Sequence, residues 1–219
     1  MVDQGLIFRW TMARRKNTRN KFKKPTIHIS SEGARTEKAY LKILDGLFPL
    51  DTYNLRIISQ KRNKSDPISV LKNHQDQIIT SGSRQNYFKG DIEVIIVDRE
   101  ENNNRTEEQF KKLIAWQKEK AANRILIVNS TCFEYWLLCH FTDNPKCSTT
   151  REILDALKKI WPNYDKTLNK NDINRDQVLL ASSRAKKLAS LDQMIESEIC
   201  GSNMHELIDL LIKIENQEK

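Results

Sequence analysis

Along the first two thirds of the chain, short apolar runs alternate with stretches in which apolar residues recur every three or four positions. The runs at 26–30, 53–59, 92–97 and 124–129 read as strands, and the stretches at 37–47, 66–79 and about 106–120 read as helices, the second opened by Pro67. The run at 92–97, IEVIIV, is nearly continuous and β-branched, as a strand buried on both faces of a parallel sheet requires. Strands alternating with helices predict a parallel sheet joined by right-handed crossovers. From Thr131 the pattern changes: FEYWLLCHF forms an aromatic-rich helix, and 149–161, about 177–200 and 204–214 read as further helices, with a polar connection over 162–176. The expectation is an α/β fold, a parallel sheet flanked by helices, with an all-helical C-terminal extension. Its boundaries are an arm over 1–24, an α/β domain over 25–141 and a helical region over 142–219 packed on the sheet or standing as a small lobe.

Composition sharpens this. A chain of 219 residues with 38% hydrophobic content supports a real core, and its four cysteines form no CxxC pair, so neither a disulfide framework nor a zinc knuckle is indicated. No apolar run approaches the roughly 20 residues of a membrane span, and the basic start is not followed by a signal-peptide apolar region. A cytoplasmic protein with no membrane partner is expected. The net charge of +8 is local: residues 1–24 hold eight Lys or Arg and one acid, leaving 29 basic against 28 acidic residues elsewhere. Arg14, Arg15, Lys16, Arg19, Lys21, Lys23 and Lys24 make this arm a candidate nucleic-acid contact, with a solubilising leader as the plain alternative.

The candidate chemistry is acidic. Glu32 closes the first strand, Asp98 and Glu100 close the third, and Glu134 follows the fourth, which places all four at one carboxyl edge, where α/β sheets bind ligands. Two residues apart at a strand end, Asp98 and Glu100 aim the same way, and carboxylates of this kind suit Mg²⁺ or Mn²⁺. Any one of these acids alone is more simply a solvated or helix-capping group. Gly33 permits a tight turn, and Glu37 begins the following helix.

A strand ending in Glu-Gly, followed two strands later by an Asp-x-Glu pair, resembles the Toprim domain of topoisomerases, primases and OLD-type nucleases. The set SEGARTEKAY, VDREE and CFEYWLLCHF, spanning roughly residues 24–141, is more closely similar to the RloB family of prokaryotic defence proteins, which includes the smaller component of AbiL-type abortive-infection pairs. The resemblance implies a Toprim-like fold and metal-dependent nuclease action beside an ATPase encoded next door. It casts Glu32 as metal ligand or acid/base and Asp98 with Glu100 as the metal-binding pair. Glu37 and Glu134 then become further ligands or their supports, and Gly33 lets backbone approach a phosphate. Asn129, Ser130 and Thr131 stand where the family often has Ser-Asn-Pro, a departure at that turn.

Arg35, Lys38 and Arg99 are candidates to stabilise a phosphoryl group, or simply neutralise the acids. His28 and His140 read as packed histidines, and no Ser-His-Asp set, Walker motif or GxGxxG occurs. Two functions remain open: a Mg²⁺- or Mn²⁺-dependent nuclease acting on DNA or RNA in anti-phage defence with a partner ATPase, or a non-catalytic nucleic-acid- or protein-binding subunit of a defence complex. A third, small-molecule phosphotransfer or nucleotide hydrolysis, fits the same acids. Oligomeric state is open, with a homo-oligomer among the options.

Overall fold

The computed structural model describes residues 24–60, 66–80, 90–99, 104–119, 123–188, 190–196 and 199–218. The strands β1 (Thr26–Ser31), β2 (Asn54–Ile58), β3 (Ile92–Asp98) and β4 (Asn123–Asn129) form one parallel sheet in the order β2-β1-β3-β4. Each strand leads into a helix: α1 (Thr36–Leu47), α2 (Pro67–Thr80), α3 (Asn104–Lys118) and α4 (Phe133–Cys139). The expected α/β architecture is therefore present, with C-terminal helices added to it.

Pleating divides the strand residues between two apolar layers. Ile27, Ile29, Val94 and Ile96 share a cluster with Leu41 and Leu44 of α1, whereas Ile95 and Val97 share another with Val70 of α2 and Phe110, Leu113 and Trp116 of α3. The second face also buries a polar chain. Ser30 Oγ lies 2.8 Å from His74 Nδ1, His74 Nε2 lies 3.2 Å from Glu93 Oε2, and Arg124 Nε donates to Glu93 Oε1 at 3.3 Å. Burying Glu93 is tolerable because it is paired on both oxygens, and the chain ties β1, α2, β3 and β4 together. Its Ser-His-Glu order resembles a nucleophile triad, but Ser30 and His74 are wholly buried, so no substrate reaches them.

The C-terminal elements are α5 (Thr150–Ile160), α6 (Arg175–Ala185), α7 (Leu191–Glu196) and α8 (His205–Gln217). A single helix over 177–200 is not what forms. The chain breaks after α6 because Ser190 starts a new helix: Gln193 N donates to Ser190 Oγ at 3.3 Å and Ser190 N to Gln193 Oε1 at 2.9 Å, a reciprocal cap. Ile153 and Leu157 of α5, Val178 of α6 and Leu207 and Leu211 of α8 join the same cluster as β1 and α1, whereas Leu191 and Ile195 of α7 pack against the cluster on the other face. Asn203 closes the open edge of β4, accepting from Val128 N at 2.7 Å and donating to the Leu126 carbonyl at 2.9 Å. Among the described residues no helix is long and apolar enough to cross a membrane.

Candidate functional site

The carboxyl edge of the sheet gathers the acids. Glu32 N donates to the Ile96 carbonyl at 3.0 Å, which carries the pairing of β1 and β3 one residue beyond β1. This sets Glu32 beside the end of β3, where its Oε2 accepts from Asp98 N at 3.1 Å. Asp98 pairs in register with Asn129 of β4; it accepts from Asn129 Nδ2 at 2.9 Å and from Phe133 N, at the start of α4, at 3.2 Å. Two neighbouring segments thus orient one carboxyl group. Asn129 is itself held by Ser202, whose Oγ donates to its Oδ1 at 2.7 Å.

Two helix starts bring the other acids in. Glu134, in the first turn of α4, accepts from Tyr164 Oη at 3.1 Å and stands 3.7 Å from Lys166 Nζ. Glu37, in the first turn of α1, folds back over Gly33: a Cβ there would sit 1.8 Å from Glu37 Oε2, so the glycine leaves room for that carboxylate. Lys166 also accepts at its backbone carbonyl from Thr36 Oγ1 at 2.9 Å, and its φ of +68° is the one left-handed non-glycine conformation among the described residues. Such a conformation costs on the order of 1 kcal/mol or more and persists where surrounding contacts impose it. Here those contacts bind the 161–174 segment across both helix starts.

Four carboxylates therefore act on one another. Burial, then the charge of Glu37, then those of Glu32 and Glu134, hold the Asp98 carboxyl well above the usual range, against the pull of Asn129. Glu37 is raised by burial and by Glu134, while its own N–H, the Gly33 N–H and Lys166 draw it down. Although Asp98 keeps part of its residue surface exposed, its carboxyl is packed inside. Each of these acids is turned onto a protein donor, and among the described residues no three His, Cys, Asp or Glu side chains are grouped ready to hold a metal ion.

Of the residues singled out in the sequence, Glu32, Glu37, Asp98 and Glu134 converge. Glu100 lies outside the described residues, as do Arg14, Arg15, Lys16, Arg19, Lys21 and Lys23 of the arm; Lys24 is exposed just before β1. Arg99 is turned to α7, with Nη1 donating to the Met194 carbonyl at 2.6 Å. His140 is a core residue. Its Nδ1 meets the Trp136 carbonyl at 3.0 Å, which can only accept, so that nitrogen carries the proton and Nε2 accepts from Tyr40 Oη at 3.0 Å. Burial pushes its pKa down to about 4. His28 is likewise buried, 3.5 Å from Asp91.

Sequence reasoning does not single out Asn129, Tyr164 or Lys166 as parts of the site. Asn129 had a signal, since parallel register sets the end of β4 beside the end of β3. Tyr164 and Lys166 had none, because they arrive on an irregular connection. Compared with known proteins, the chain matches the family model described as RloB-like protein over residues 27–211. No curated protein and no solved structure matches significantly.

Proposed function

The chain belongs to the RloB-like protein family, and on that premise we propose that it hydrolyses phosphodiester bonds of DNA or RNA, with Mg²⁺ or Mn²⁺, in prokaryotic anti-phage defence beside an ATPase from a neighbouring gene. The observation that carries the reading is Asp98, a carboxyl raised first by burial and then by three other carboxylates at the ligand-binding edge of the sheet. A capping role at Phe133 needs one acid; three more around it add repulsion that a cap does not require.

The donor chemistry fits a hard divalent cation, which takes carboxylate oxygens and retains waters. Glu32, Asp98 and Glu134 would hold it after turning from their present donors, with Glu100, two residues beyond Asp98 in the sequence, completing the set. When bound, the cation offsets the mutual repulsion and activates water for attack on phosphorus. The chain's own groups prepare for this. Asn129 and the Phe133 N–H orient the Asp98 carboxyl, Tyr164 holds Glu134, and Lys166 tempers the negative field without entering it.

Incubating the full chain with DNA and with RNA, in Mn²⁺ and in EDTA, with and without the neighbouring ATPase, tests the reading. Cleavage that needs Mn²⁺ and is lost in Glu32→Gln is expected. Binding without cleavage under every condition would favour the non-catalytic subunit instead.

A further inference from the structure

Beside the acid site, on the outer side of the same helix start, lies a cleft of about 380 Å³ with four cations on its walls: Arg35, Lys38, Lys42 and Lys170. Positions 35, 38 and 42 fall on one face of α1, three and four residues apart, and the 161–174 segment brings Lys170 across to them. Ile43 and Leu168, both buried, form the floor. No carboxylate among the described residues lies within ion-pair distance of any of the four, and only Lys38 has a side-chain partner, the Ser59 hydroxyl at 2.9 Å. Among the described residues, some cations elsewhere are paired, as Lys112 is with Glu108 and Lys186 with Asp209, and others such as Lys158 and Lys159 are not; what sets these four apart is that they share the walls of one cleft. Arg35 is placed at the positive end of the α1 dipole and caps nothing with its side chain, a position that disfavours a cation unless an anion joins it.

We propose that this cleft binds the phosphate backbone of the nucleic-acid substrate and so positions it over the carboxylates; the identity of the ligand rests on the nuclease reading above. Clustered unpaired cations repel one another, and a polyanion relieves that repulsion while releasing its own counterions. From Arg35 to Lys42 the helix axis advances about 10 Å, more than one phosphate group covers, which favours a backbone over a free phosphate. Glu37, between Arg35 and Lys38 in sequence, turns to the opposite side into the acid cluster. A strand held by these cations and rounding the start of α1 would be presented to the acids gathered on the other side of that helix start.

The test measures binding of the full chain to labelled single-stranded DNA and RNA by fluorescence anisotropy across a salt series, in EDTA so that nothing is cut. Lys42→Glu/Lys170→Glu should weaken binding equally for all sequences and lower the salt slope by about 0.7 for each phosphate no longer neutralised, roughly 1.4 for the pair. Lys158→Glu/Lys159→Glu changes net charge equally on exposed turns of α5 and should leave the slope unchanged. If the charge reversal impairs folding, Lys42→Gln/Lys170→Gln gives the same comparison. Competition by a mononucleotide as effective as the polymer would overturn the backbone assignment, and so would an unchanged slope, an equal loss in the α5 control, or a wild-type chain that does not bind. A wild type that binds with the expected slope but never cuts in Mn²⁺ would refute the nuclease reading alone.

Discussion

Replacing Asp98 by Asn separates a charge effect from a hydrogen-bonding effect, because the two respond differently to pH. Asp98 accepts from Asn129 Nδ2 and Phe133 N with its two oxygens. An amide offers one acceptor, so one buried donor loses its partner, at a cost of about 1–3 kcal/mol. At acid pH, where the native carboxyl is neutral as well, that loss is the whole difference, and the variant should melt roughly 2–12 °C lower for a chain of this size. Raising the pH changes the balance. Asp98 keeps its proton to higher pH when folded than the ordinary 3.8, so between the two values the native state holds more protons than the unfolded chain. Its contribution is full below the unfolded value and declines as pH rises through the folded one. The variant has no such proton to lose, so its deficit should shrink with pH and vanish or reverse once wild-type Asp98 ionises beside Glu37, Glu32 and Glu134. Comparing the two proteins cancels titrations elsewhere, including that of His140. The assay is thermal melting in EDTA from pH 4 upwards, repeated with Mn²⁺. Cation bound at a hundred times its Kd would stabilise the wild type by about 2.7 kcal/mol, and the variant should forfeit most of this together with cleavage. A deficit constant at all pH values would refute the coupled-acid account, and equal Mn²⁺ stabilisation of both proteins would remove Asp98 from the metal site.

Deleting residues 1–23 removes seven of the 37 basic residues and should lower the salt slope of nucleic-acid binding; an unchanged slope in a salt titration would make the arm a leader only. His140→Leu strands the buried Tyr40 hydroxyl and should cost about 1–3 kcal/mol in denaturant melts while leaving activity per folded molecule intact, whereas a stable, inactive variant would make His140 part of the chemistry. Asn203→Ala breaks two bonds to the edge of β4 and should destabilise by a similar amount, about 1–3 kcal/mol, with faster amide exchange at Val128; unchanged protection there would show that the segment carrying Asn203 does not guard the edge.

Local signals make much of this protein legible. The strands can be read because a buried parallel strand such as 92–97 has to be apolar on both faces, and the acids at strand ends can be read because the carboxyl edge of such a sheet is common to all its strands. That argument places Glu32, Asp98 and Glu134, and the resemblance carried by SEGARTEKAY, VDREE and CFEYWLLCHF agrees with the family. The stretch 177–200 reads as one long helix because apolar periodicity continues through Ser190, and only its reciprocal bond with Gln193 marks the break.

Tertiary structure alone decided what surrounds those acids. Tyr164 reaches Glu134 across 30 positions of sequence, Lys166 reaches Thr36 across 130, and Ser202 holds Asn129 across 73, through irregular segments whose path no periodicity encodes. The same is true of charge. Asp98 is one ionisable residue in the sequence, but its ionisation depends on desolvation and on neighbours within a few ångströms, and these exist only once the sheet edge, two helix starts and the 161–174 segment are packed together. That packing also brings Lys170 beside Arg35, Lys38 and Lys42 along one cleft, a meeting that the order RTEKAYLK in the chain does not contain.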